Sequence, residues 1–177
     1  MAETGRVSDA FEVADQLAIK EVIAMHCRGV DRASAEILMS CYWPDAGVDY
    51  GTYKGPAHPF CGPLTEAIKR YENTQHIVSN VLIELDEDSD KAKVETYVTA
   101  HHYLVGDPDT EMTYLGRYFD LMEKRDAVWK IAYRKIAMTW HQTAAGSKDL
   151  ESNPSLQAIT EASRHPDDPW FGFVGNP

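Results

Sequence analysis

The spacing of apolar residues changes once along the chain, from a helical period in the first half to strict alternation in the second. Residues 9–32 repeat apolar side chains at about 100° per residue, which predicts a long amphipathic helix. Asp9 is a suitable N-cap, and Glu12 three residues later completes a capping box. Further helices are predicted over residues 34–42 and 59–72, so helical elements dominate this half of the chain.

Alternation with a period of two begins after the third predicted helix. It predicts long strands over residues 74–85, 92–105, 112–124 and 127–141. The junctions between these strands are too short for a crossover helix, so the strands form an antiparallel meander. A short strand is predicted earlier in the chain, at residues 48–53. Residues 43–45 should end the helix before it, and residues 54–56 should end the strand.

Helices followed by a strand meander are typical of an α+β fold. A strongly curved, mainly antiparallel sheet wrapped around the first helix would form a cone with an apolar cavity, which suits a small ligand. We expect one domain over residues 1–144. Residues 145–177 are predicted to be an extension with a helical turn or two within residues 155–164 and no regular period after them. The extension should pack on the domain or on a neighbouring subunit, because it ends in Trp170, Phe171 and Phe173.

Charge and composition narrow the range of partners. The 177 residues include 17 Lys and Arg against 28 Asp and Glu, a formal net charge of −11. Nucleic acids and anionic membrane surfaces require basic patches, and the cations here are scattered, so we predict neither partner. There is no apolar run of the ~18–20 residues that span a membrane and no signal-peptide pattern. Three cysteines without CxxC spacing suit a reducing compartment, so we expect a cytoplasmic protein.

The familiar catalytic, phosphate-binding and metal-binding motifs are absent from the chain. His101 and His102 are adjacent on a predicted strand and therefore point to opposite faces, so they cannot share one ion. His165 with Asp167 and Asp168 could form only a weak surface site, and a solvated acidic turn explains them better. We predict no cofactor and no metal site.

A few polar residues occupy unusual positions. His26 lies in the apolar stripe of the first helix, and Asp31 lies at its C-terminal end, where the helix dipole disfavours a carboxylate. His76 opens a strand among apolar neighbours, and Arg134 lies in the middle of the last strand. Each has a structural alternative. The two histidines could be hydrogen-bonded core residues, and Asp31 could be a turn residue. Arg134 would need an acid or a ligand anion as its partner.

Together these residues favour acid–base chemistry without a nucleophile or a metal. A buried Asp–His pair abstracts protons well, because the carboxylate fixes the imidazole tautomer and raises its basicity. Tyr50 and Arg134 could stabilise the oxygen of an enolate or of a leaving hydroxyl. Arg134 is predicted to share its face of the strand with Ile136, Met138 and Trp140. The candidate substrate-binding residues are Tyr97, His101, Met138 and Trp140.

Five segments of the chain resemble the SnoaL-like family of the nuclear transport factor 2-like superfamily. They are residues 18–32, 50–56, 74–80, 116–120 and 129–135. The resemblance implies the same cone-shaped α+β barrel. In dehydratases and a dehydrochlorinase of the family, an Asp that ends the first helix pairs with a proton-abstracting His, and by motif position these are Asp31 and His76. Tyr50 and Arg134 match further functional positions, and His26 stands where the family commonly has Tyr.

The resemblance implies a cofactor-independent lyase or isomerase, such as a dehydratase or polyketide cyclase. Its substrate would be an apolar polycyclic or polyketide-like small molecule. The superfamily also contains proteins without catalysis, so a small-molecule-binding protein or a structural subunit of a ring-hydroxylating oxygenase is the alternative. Dimers or trimers are implied as well, and an open sheet with an apolar outer face needs cover. We therefore expect a homo-oligomer.

Overall fold

A computed structural model describes residue 5 and residues 7–86, 90–106, 109–146 and 154–175. The helices are α1 (Ala10–Asp31), α2 (Ala35–Ser40), α3 (Ala57–Ile68), α4 (Pro154–Gln157) and α5 (Pro169–Phe173). The strands are β1 (Tyr42–Asp49), β2 (Lys54–Pro56), β3 (Asn73–Leu85), β4 (Lys91–Leu104), β5 (Thr110–Arg125) and β6 (Val128–Ala145). In the described parts of the chain, no helix is both long and apolar enough to cross a membrane.

The six strands form one open, curved sheet in the order β2-β1-β6-β5-β4-β3. Strands β3 to β6 make the predicted antiparallel meander. Asp126 and Ala127 join β5 to β6 with φ angles of 51° and 61°, the backbone of a hairpin turn that matches strand twist. Helix α1 contacts β3 at the edge of the sheet and also β6, three strands away, so the sheet bends around this helix. The predicted α+β fold is confirmed.

Helix α1 begins with the predicted capping box. Asp9 accepts hydrogen bonds from the backbone N–H groups of Phe11 and Glu12, and the Glu12 carboxylate accepts the Asp9 N–H. The inward face of the helix packs into a continuous core with β1, α3 and the sheet. Its buried residues are Ile19, Ile23, His26, Cys27, Gly29 and Val30. The last residue of the helix is Asp31.

The region between α2 and α3 differs from the prediction. Residues 43–45, predicted as a stop, lie inside β1, and residues 54–56 form β2 instead of ending a strand. β1 runs parallel to β6, and its register shifts between Tyr42 and Gly47. Because proline is tolerated where ladder pairing is interrupted, Pro44 does not end this strand. Helices α2 and α3 end at Ser40 and Ile68, earlier than predicted.

The C-terminal segment packs on the end of α1. The backbone N–H of His165 donates to the Arg32 carbonyl at 3.1 Å, and the Arg32 guanidinium pairs with buried Asp168 at 3.0 Å. A short helix, α5, forms where no regular structure is predicted, because Asp168 caps it. Trp170 remains partly exposed and Phe173 largely so. Residues 147–153 and 176–177 lie outside the described residues, and the domain boundary at residue 144 stays a prediction.

Candidate active site

Asp31 and His76 form a close pair where α1 meets the start of β3. His76 Nδ1 lies 2.7 Å from Asp31 Oδ1. The carboxylate also accepts the backbone N–H of His76, at 3.1 and 3.0 Å to its two oxygens, and the hydroxyl of Thr74 at 3.4 Å. These donors stabilise a carboxylate at a helix end where the dipole alone would disfavour it.

The pairing determines which imidazole nitrogen of His76 is available to a ligand. A carboxylate beside Nδ1 assigns the proton to that nitrogen, so the lone pair of the neutral ring is on Nε2. Nε2 makes no hydrogen bond to any residue that the structure describes. The side chains of His76 and Asp31 are 9% and 23% exposed, so the pair is shielded but can be reached. The arrangement can therefore accept a proton from a bound molecule.

A second histidine lies against this pair. The rings of His102 and His76 meet edge to face with centroids 5.5 Å apart, and Tyr71 packs on the other side of His102 at 4.7 Å. Burial, followed by the charge of His76, lowers the pKa of His102 to about 4. His102 is therefore a neutral ring at neutral pH, and its Nδ1 is buried without a hydrogen-bond partner.

Arg134 lies in the interior and meets an acid, Asp120. Arg134 Nε and Nη2 donate to the two Asp120 oxygens at 2.7 Å each, and both side chains are fully buried. The guanidinium also lies 4.2 Å from the centre of the Tyr118 ring. Burial tends to lower the pKa of Arg134, but the Asp120 carboxylate outweighs it, so the pKa lies well above its ordinary value. Nη1 is left as a buried donor without a partner.

Phenols and an imidazole surround Arg134. His26 Nε2 lies 3.0 Å from the Tyr42 hydroxyl, and the His26 ring meets Tyr42 and Tyr118 edge to face. Burial, with the charge of Arg134 next, lowers the pKa of His26 well below its ordinary value. Burial also raises the pKa of Tyr50, although the charge of Arg134 opposes the rise. At neutral pH this cluster holds neutral phenols, a neutral imidazole and one compensated cation.

An open groove of about 700 Å³ gives access to the Asp31 end of this interior. Its walls are the end of α1, the first residues of β3, the end of β4, the start of β5 and the C-terminal segment. The lining residues that bear charge are Asp31, Arg32, Glu72, Glu111, Glu161, Arg164 and Asp168. In the described part of the chain there is no group of three or more His, Cys, Asp or Glu arranged to hold a metal ion.

The family follows from the sequence match. The SnoaL-like domain matches residues 12–135, which include nearly all of α1, all of β3 and β4, and most of the remaining sheet. This chain belongs to the SnoaL-like family. The Asp31–His76 pair and Arg134 lie inside the match, whereas the groove wall made by the C-terminal segment lies outside it. A comparison with curated proteins found no match.

Solved structures share the fold. A hexachlorocyclohexane dehydrochlorinase, LinA type 2, superposes with a TM-score of 0.70 at 24% identity, over 79% of this SnoaL-like chain and 95% of that one. A candidate scytalone dehydratase of Novosphingobium aromaticivorans gives 0.66 at 20% identity, over 88% and 95%. A Nostoc punctiforme protein of cystatin-like fold gives 0.60 at 17% identity, over 71% and 91%. The neighbours therefore support the predicted barrel fold.

The residues predicted to be catalytic lie on the inner side of the fold of this SnoaL-like chain. Most of the residues predicted to bind substrate do not. Asp31, His76, His26, Tyr50 and Arg134 are all on the inner side of the sheet or on α1 and the β1–β2 loop facing it. They are near enough that the charges of Arg134 and His76 affect the pKa of His26. Met138 pairs with inward-facing Gly116 but is 63% exposed.

Three of the predicted substrate-binding residues are on the outer face. Tyr97 and His101 alternate with the buried residues of β4, so their side chains point away from the cone, although His101 is one of the residues that line the groove. Trp140 pairs with Leu115, whereas Met138 pairs with Gly116, so Thr139 is an extra residue that reverses the alternation. The prediction that Trp140 shares a face with Arg134 is therefore wrong.

Several polar residues of the site were not among the predicted ones. Asp120 is the ion-pair partner of Arg134, and Tyr42 and Tyr118 contact His26. Asp120 is the last residue of the segment Gly116-Arg-Tyr-Phe-Asp120. It lies on the same strand face as Gly116, and this position of an acid among inward-facing residues was the available signal. Arg164 in the groove had no signal in its local sequence.

Proposed function

We propose that this protein is a cofactor-independent lyase or isomerase that removes a proton from carbon in an apolar small molecule. The observation that supports this most is the Asp31–His76 pair, with Nδ1 tied to the carboxylate and Nε2 without a hydrogen bond among the described residues. Two structural neighbours are named as a dehydrochlorinase and a candidate dehydratase, and both names describe eliminations. His76 is the proposed base, and Asp31 orients it and stabilises the imidazolium.

The interior polar cluster supplies donors for the oxygen that gains charge. Tyr50 is a neutral phenol, and Nη1 of Arg134 is a buried donor without a partner. Either can donate to an enolate oxygen or to a departing hydroxyl, and the buried setting strengthens such a bond. His26 borders this cluster through Tyr42, so it acts as a neutral hydrogen-bonding group rather than as a base.

Proton abstraction can be tested without knowing the leaving group. The probe is 1-tetralone, an apolar ketone, incubated with the protein in D₂O while NMR follows exchange of the hydrogens next to its carbonyl. The protein should accelerate exchange, and His76→Ala should lower the enzymatic rate by about 10²-fold or more. Asp31→Asn should also lower the rate, because the imidazole loses its orienting carboxylate. His141→Ala, which removes an exposed histidine that does not line the groove, is the matched control and should leave the rate unchanged.

Two results would contradict this function. Exchange no faster than in buffer would show that the pair does not abstract protons from such carbon acids, and tight binding without exchange would favour a binding protein. An undiminished rate in His76→Ala would remove His76 from the role of base. If exchange is confirmed, a panel of β-hydroxy and β-oxo compounds analysed by mass spectrometry distinguishes loss of water from isomerisation or ring closure.

Copies of the chain are proposed to associate through the outer face of the sheet. Apolar side chains are exposed there on neighbouring strands: Ile77, Leu82, Tyr97 and Leu121. Light scattering after size-exclusion chromatography should give the mass of a dimer or trimer, and Leu121→Lys should lower it. A single-chain mass for the unaltered protein at micromolar concentration would contradict this assembly. A cytoplasmic location remains part of the proposal.

A further inference from the structure

The C-terminal segment forms one wall of the groove beside Asp31. His165 is hydrogen bonded to the carbonyl of Arg32, the residue that follows Asp31, and Asp168 pairs with the Arg32 side chain. These two contacts hold residues 161–168 against the end of α1. The segment is therefore attached directly next to the Asp31–His76 pair.

Arg164 extends from this segment to the start of β3. Its Nη2 donates to the backbone carbonyl of Tyr71 and, at 3.3 Å, to that of Glu72, the two residues before the strand begins. Asp31 accepts its own hydrogen bonds from the first residues of the same strand. Asp31 and Arg164 both line the groove, and the charge of Asp31 acts on the Arg164 guanidinium.

Arg164 differs from Arg134 in the charge that it offers to a ligand. Arg134 gives two donors to Asp120, whereas Arg164 donates to backbone carbonyls and to no carboxylate among the described residues. Nη1 of Arg164 is buried without a hydrogen-bond partner. Burial lowers the pKa of Arg164 and the Asp31 charge opposes this, yet a guanidinium stays protonated at neutral pH. A charged N–H without a partner binds an oxygen more strongly than a neutral donor does.

The acidic groups around the groove indicate which kind of oxygen is accepted. Glu72, Glu111 and Glu161 line it together with Asp31, and the chain as a whole has a net charge of −11. This field opposes entry of a carboxylate, whereas a neutral carbonyl oxygen can accept the Arg164 hydrogen bond without that cost. The favoured ligand is therefore a neutral ketone or related carbonyl compound.

We propose that Arg164 binds the carbonyl oxygen of a neutral β-hydroxy carbonyl substrate and so sets its orientation at His76. The proposal rests on the proposed function. His76 takes the proton from the carbon next to the carbonyl, the C–H electron pair forms the enolate double bond, and the charge on oxygen develops beside Arg164. The enolate then expels the hydroxyl group on the next carbon with the C–O electron pair. That group takes the proton from His76 and leaves as water.

The test compares 1-tetralone with tetralin, the same ring system without the oxygen, and with tetralin-2-carboxylate. Dissociation constants are measured by ligand-observed NMR in a His76→Ala background, where binding is separated from turnover. The ketone should bind about tenfold more tightly than tetralin, and the carboxylate more weakly than the ketone. Adding Arg164→Met should reduce the ketone preference to about twofold or less, whereas Arg164→Lys should retain part of it. Arg117→Met, on the outer face, is the matched control and should change neither constant.

The outcomes distinguish a failure of the Arg164 proposal from a failure of the proposed function. A ketone preference that persists in a folded Arg164→Met protein, or no preference in its Arg164-containing parent, overturns the proposal. Tighter binding of the carboxylate than of the ketone overturns the neutral substrate class. In the protein with His76 intact, Arg164→Met should also slow exchange of 1-tetralone by tenfold or more, and an unchanged rate would equally overturn the role. Loss of the ketone preference without any exchange activity would support Arg164 and reject His76 as base.

Discussion

The buried ion pair between Asp120 and Arg134 gives the sharpest stability prediction. Both side chains are fully buried, and two parallel hydrogen bonds of 2.7 Å join them. Asp120→Asn keeps the size of the side chain but removes the charge that compensates Arg134. A buried cation without its partner costs about 3–5 kcal/mol, since the lost attraction is not replaced by water. The free energy of unfolding should fall by that amount.

Thermal unfolding followed by circular dichroism measures this effect. In a protein of 150–250 residues each kcal/mol corresponds to about 2–4 °C, so the midpoint should fall by about 6–20 °C. Glu95→Gln is the matched control because it breaks an exposed Arg–carboxylate pair on the outer face of the same sheet. Its midpoint should change little, since exposed ion pairs are screened by water and salt.

A double variant separates the ion pair from ordinary packing. Asp120→Leu with Arg134→Met removes both charges and keeps the volume apolar, so it should be more stable than Asp120→Asn and within about 2 kcal/mol of the unaltered protein. An Asp120→Asn midpoint equal to that of the unaltered protein would refute the reasoning. A double variant less stable than the single one would show that shape, rather than charge, dominates this part of the core.

Three further predictions concern a close contact, a titration and a helix cap. Gly116→Ala should destabilise by about 1–3 kcal/mol, because its Cβ would lie 2.5 Å from the Ala137 carbonyl oxygen, whereas Gly62→Ala in α3 meets open space and should be neutral or stabilising in urea unfolding. The pKa of His102 is about 4 in the folded protein and about 6.5 in the unfolded chain, so the unfolded chain binds more protons between these values. The free energy of unfolding should therefore fall as the pH drops from about 6.5 to 4. His102→Phe should reduce the pH dependence of that free energy by up to one proton, and an unchanged pH dependence would contradict the assignment. Asp9→Ala should lower the unfolding free energy by about 0.5–2 kcal/mol through loss of the capping box, a loss that calorimetry can detect.

Much of the fold is predictable from the sequence because its long elements keep a clear period over most of their length. The four strands of the meander are 13 to 18 residues long, and the short turns between them leave only an antiparallel arrangement. The full length of β1 is not predictable in this way, since its buried positions do not alternate and Pro44 lies inside it. Its parallel pairing with β6 also joins segments that are about 90 residues apart, and no local pattern specifies such a contact.

The site is only partly predictable, because its geometry depends on single extra residues in β6. Trp129 and Ile131 face inward, so strict alternation would place Arg134 on the outer face. Ile131 pairs with Met122 and Tyr133 with Leu121, which leaves Ala132 as an extra residue that turns Arg134 inward, opposite Asp120. Asp31 is different, since it is placed by the end of a regular helix, and its unusual position is visible in the sequence. Side chains on regular elements are therefore predictable, whereas those placed by bulges or by the C-terminal segment, as Arg164 is, require the structure.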